Sequence, residues 1–125
     1  LHEITHNYAR NRNSLLREGL AVYLQDKIGG NRSFPNQGQN LHVLARRMLP
    51  SVASLDRLNS VRGDLSLVMP KRPAYILSGS FVKFLIDRYG LPQFRTLYET
   101  GSYEQAYQKS LRILEDEWRS IVQRS

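Results

Sequence analysis

Apolar side chains recur at three- and four-residue spacings along almost the whole chain, and no alternating apolar–polar run of any length interrupts them. That period puts one residue per turn on a common helical face, so the chain must bury helix against helix rather than build a sheet. Glycine, proline and asparagine supply the punctuation. Residues 1 to 10 read as a helix cut at its start, and Asn11-Arg12-Asn13 as a tight turn. Ser14 reads as the N-cap of a helix to about Ile28, with Leu16, Leu20, Tyr23 and Leu24 as its stripe and Gly29-Gly30 as its stop. A polar loop follows over 31 to 39, then a short helix from Leu41 to Leu49 ended by Pro50, and a possible turn from Val52 to Leu58. Arg62 to Pro73 is irregular. Ala74 to Tyr89 is the most apolar helix, closed by Gly90; Leu91 to Thr100, Tyr103 to Lys109 and Leu111 to Gln123 complete the set. The fold class expected is all-α, with a small β element around Leu65 to Met69.

Composition bounds the rest. A chain of 125 residues with 41% hydrophobic side chains can bury one core without help from disulfides, so residues 1 to 125 read as a single domain. The absence of cysteine removes a disulfide framework, a thiol nucleophile, cysteine-based zinc fingers and iron–sulfur sites. A net charge of +7 is carried unevenly, with nine basic against four acidic residues up to position 63 and nine against seven beyond it. The basic residues are scattered without interleaved aromatics, which reads as a solvated surface, and no nucleic-acid partner is expected. No apolar stretch approaches the roughly 18 to 20 residues of a membrane span.

One motif carries chemistry. His2-Glu3-Ile4-Thr5-His6 is an H-E-x-x-H pattern on a helix. Two histidines four apart project from one face, so both imidazoles reach one ion at the roughly 2.0 to 2.1 Å of a Zn–N bond. Glu3 lies about 100° around from His2, where a carboxylate takes a proton from metal-bound water. If the chain turns back at Asn11 to Asn13, His6 and Glu18 stand level across the hairpin, which makes Glu18 the candidate third ligand. Gly19 beside it permits a close helix approach. The remaining polar residues have bland readings: His42 as a surface or helix-end histidine, Ser78 and Ser80 around Gly79 as small packing residues, and Glu115-Asp116-Glu117 as a solvated helix face.

These residues carry a resemblance. His2-Glu3-x-x-His6 followed by Arg17-Glu18-Gly19-Leu20-Ala21-Val22-Tyr23 resembles the gluzincin zinc metallopeptidases of the peptidase MA-like group, whose second zinc helix reads Glu-Gly-x-Ala-x-Tyr. The run from Tyr75 to Gly90 and the segment from Ala106 to Trp118 are similar to that family's later helices. The resemblance implies zinc-dependent hydrolysis of peptide bonds, with Zn2+ held by His2, His6 and Glu18, Glu3 as general base, and Tyr75 as the hydroxyl that stabilises the oxyanion. It implies a peptide or protein substrate and an extracytoplasmic or secreted setting. It also implies that residues 1 to 125 are the helical half of a longer catalytic domain, packing on an upstream β-subdomain that the chain lacks. Two alternatives from other classes stay open: a catalytically silent, zinc-stabilised interaction module with a basic surface, and a nucleic-acid binder with a fortuitous motif.

Overall fold

A computed structural model describes residues 13–29, 39–49, 55–61, 63–67 and 69–125. Among them the secondary structure is helical, without strands. In chain order the helices are α1 (Ser14–Gly29), α2 (Leu41–Met48), α3 (Asp56–Asn59), α4 (Lys71–Tyr89), α5 (Leu91–Thr100), α6 (Tyr103–Tyr107) and α7 (Leu111–Gln123), with a 3-10 turn at Leu65–Leu67 between α3 and α4. That turn stands where a β element was expected. The i to i+3 geometry and the Ser66 N–H donated to Asp64 Oδ1 at 2.9 Å engage backbone groups that a ladder would need.

The caps explain most boundaries. Asn13, not Ser14, caps α1: its Oδ1 accepts the Leu16 N–H at 3.3 Å. Ser14 is instead tied to the chain after α3, its N–H donating to the Val61 carbonyl at 3.1 Å and its hydroxyl to the Gly63 carbonyl at 2.6 Å. Asn40 caps α2 through the amides of His42 and Val43, Ser102 caps α6 through Gln105, and Ser110 caps α7 through Ile113. Helix α4 starts three residues earlier than its apolar pattern, because Pro73 lies in the first turn, where a missing N–H costs nothing. It ends at Gly90, whose φ of 94° and ψ of 161° suit only a residue without Cβ.

Helix α4 is the hub of the core. From Ala74 to Leu85 only Tyr75 and Lys83 are not fully buried, so neighbours cover it on nearly every side. It packs against α1, α2, α5 and α7. The closest approach is to α1, along the row Leu15, Gly19 and Val22. A Cβ on Gly19 would lie 2.5 Å from the Ser78 carbonyl oxygen, and one on Gly79 would lie 2.5 Å from Val22 Cγ1. Both glycines therefore let two backbones meet where any side chain would hold them apart. Gly79 and the Ser78 backbone thus serve close packing, as their sequence context indicated. On the other side of α4, Phe81 meets Trp118 of α7 edge to face, with centroids 5.9 Å apart and planes at 84°.

Candidate functional site

The approach at Gly19 decides what stands beside Glu18. Tyr75 lies one turn before Ser78 on α4, and Glu18 precedes Gly19 on α1, so fitting Gly19 onto the Ser78 carbonyl brings the carboxylate and the phenol to one corner. Their electrostatic coupling records the proximity: burial, then the charges of Glu18 and Asp64, push the Tyr75 hydroxyl above its usual range, with Arg17 opposing. Tyr98 of α5 is buried in the core, its pKa raised chiefly by burial, with the Arg17 charge opposing and that of Glu18 adding to the rise. Arg17 Nε sits 3.4 Å from Glu18 Oε2, and the two side chains keep 16% and 19% of their surface accessible. Lys71 Nζ lies 5.8 Å from the centre of the Tyr75 ring. Arg17 and Glu18 thus form a partly solvated ion pair on α1, within electrostatic range of the half-buried Tyr75 of α4.

Glu18 and Tyr75, both singled out in the sequence, therefore lie within electrostatic range of each other. His2, Glu3 and His6 lie outside the described residues. The expectation of zinc-dependent peptide hydrolysis, with Glu3 as base, is corrected here. Among the described residues no group of three or more His, Cys, Asp or Glu is placed to hold a metal ion, and Glu18 stands beside the Arg17 guanidinium.

A second polar constellation escaped the sequence reading. His42 is buried, not a surface histidine. Its Nδ1 lies 2.6 Å from Ser80 Oγ, which also accepts the indole N–H of Trp118 at 3.0 Å, so one hydroxyl joins α2, α4 and α7. Burial, with help from the Lys83 charge and against that of Asp87, lowers the His42 pKa to about 4, and the ring is neutral at pH 7. Ser80 has no exposed surface, which makes it a structural hydroxyl rather than a nucleophile. The available signal was a polar residue amid core spacing on the most apolar helix, since a buried polar group demands a partner.

The acidic run of α7 is likewise more than a solvated face. Glu115 is buried and accepts the Leu55 N–H at 3.1 Å while pairing with Arg119 at 2.9 Å. Glu117 accepts from Lys109 at 2.7 Å and from the Tyr89 hydroxyl at 2.5 Å; burial opposes its ionisation, and these bonds outweigh burial and lower its pKa. Asp116 alone of the three is exposed.

No helix among the described residues is long and apolar enough to cross a membrane. Comparison with known proteins yields no matching family model, no matching curated protein and no matching solved structure.

Proposed function

We propose that this domain is a peptide-binding module that receives an extended protein segment at the corner of Arg17, Glu18 and Tyr75. What supports the reading is the juxtaposition of Glu18 and Tyr75 created by the tight α1–α4 contact. A peptide group offers one N–H and one carbonyl, and the corner offers a carboxylate acceptor beside a guanidinium and a phenolic donor. Partial burial strengthens such bonds relative to water while leaving room for a ligand to enter.

The test is binding of a random short-peptide library to the intact chain, with hits measured by calorimetry against Glu18→Gln and Tyr75→Phe. Each variant keeps the shape of its side chain and removes one polar function. Each should weaken binding roughly 5- to 30-fold, the range expected for one hydrogen bond to a charged or partly buried group, with the thermal midpoint unchanged. Hits that bind both variants as tightly as the wild type would place recognition elsewhere and end this reading.

A further inference from the structure

A separate groove of about 460 Å³ lies away from the Glu18 corner, lined by His42, Phe84, Asp87, Arg88 and Ile121. The hydrogen-bond chain behind its wall fixes what His42 presents there. Trp118 Nε1 can only donate, so Ser80 Oγ accepts from it. The buried Ser80 hydroxyl then has one acceptor among the described residues, His42 Nδ1. With Nδ1 occupied as an acceptor, the ring proton sits on Nε2, which has no protein partner among the described residues. The tautomer is thus set from inside the core, and a preoriented N–H donor stands at the groove wall.

The charges around it are sorted. Asp87 is matched by Lys83, with Nζ 2.9 Å from Oδ2. Arg88 is half-exposed, and its Nε stands 3.6 Å from Glu117 Oε1, a carboxylate already engaged by Lys109 at 2.7 Å. Phe84 forms a buried apolar floor and Ile121 a half-buried wall. We infer that this groove binds a small organic monocarboxylate with an apolar body, its carboxylate meeting His42 Nε2–H and the Arg88 guanidinium and its body lying on Phe84 and Ile121. The volume falls within the roughly 300 to 1,000 Å³ range of small-molecule sites. The site is independent of the proposed peptide corner.

Trp118 is the single tryptophan of the chain and lies one hydroxyl away from His42, so ligand contact at His42 is readable in its fluorescence. Sodium octanoate is titrated into the intact chain, followed by Trp118 emission and by the ¹⁵N shifts of the His42 ring. Acetate, which lacks the apolar body, and octanol, which lacks the carboxylate, serve as comparisons. Octanoate should give a saturable change with a Kd on the order of 1 mM or tighter, with Nε2 moving more than Nδ1. Acetate and octanol should each bind at least about tenfold more weakly. Arg88→Gln should weaken octanoate about 5- to 10-fold, as expected for a half-exposed charged hydrogen bond, and Ile121→Ser should weaken it while sparing the weak acetate response. An unsaturable response, equal responses to octanoate and acetate, or an Arg88→Gln protein that folds and binds octanoate like the wild type would overturn the assignment.

Discussion

Ser80 and Ser78 sit two residues apart on α4, both without exposed surface, and do opposite work. The Ser80 hydroxyl satisfies His42 and Trp118 at once, whereas the Ser78 hydroxyl is buried with no hydrogen-bond partner among the described residues. Ser80→Ala orphans two buried groups and should lower stability by about 2 to 3 kcal/mol. Ser78→Ala removes an unsatisfied oxygen and should leave stability unchanged or raise it by up to about 1 kcal/mol. Urea midpoints of the two variants decide the matter, and an equal loss in both would mean that the His42–Ser80–Trp118 chain contributes nothing. Little of this was legible in Ser78-Gly79-Ser80, because identical residue types on one helix give no sign of which faces a donor. His42 was misread for the same reason: Leu41-His42-Val43 shows a helix start but not the helix it meets.

Elements were more readable than their contacts. Glycine, proline and asparagine placed α1, α2, α4, α5 and α7 to within a few residues, since capping and chain termination are local chemistry. Their packing faces were less plain. The expected α1 stripe of Leu16, Leu20, Tyr23 and Leu24 leaves Leu20 and Leu24 only half-buried, while Leu15 and Val22, outside it, are buried against the neighbouring helices. Gly19→Ala tests the α1–α4 approach directly. Alanine gains helix propensity, yet its Cβ would sit 2.5 Å from backbone oxygen that cannot rotate away. The net loss should be about 1 to 3 kcal/mol. Gly63→Ala, whose Cβ would meet no atom of the described residues within 4 Å beyond its chain neighbours, should be neutral or stabilising by up to about 1 kcal/mol. Equal thermal midpoints for the two variants would contradict the tight contact.

For the whole molecule, the buried neutral His42 predicts sensitivity to acid. Its folded pKa of about 4 lies below the ordinary 6.5, so between these values the unfolded chain binds a proton that the folded domain excludes. Stability should therefore fall as pH drops from 6.5 towards 4 and be flat with respect to this group above 6.5. Solvent reaching the groove side of the ring screens the effect, which leaves about 1 to 2 kcal/mol. Denaturant midpoints at pH 7, 5.5 and 4.5 should decline in the wild type. They should decline less steeply in His42→Gln, which keeps a polar side chain without the titration. The carboxylates add their own loss only lower, as Glu117 and Asp64 have depressed pKa values. Parallel slopes in the two proteins would show that His42 does not titrate with folding. At this scale the sequence by itself determined a predominantly helical fold and most helix ends among the described residues to within a few positions, because periodicity and caps act within a few residues. Only the tertiary structure decided that α4 is the hub, that His42, Ser80 and Trp118 share one hydroxyl, and that Tyr75 feels the charge of Glu18. Those outcomes depend on which helical faces meet across long stretches of chain, and local patterning does not encode that choice.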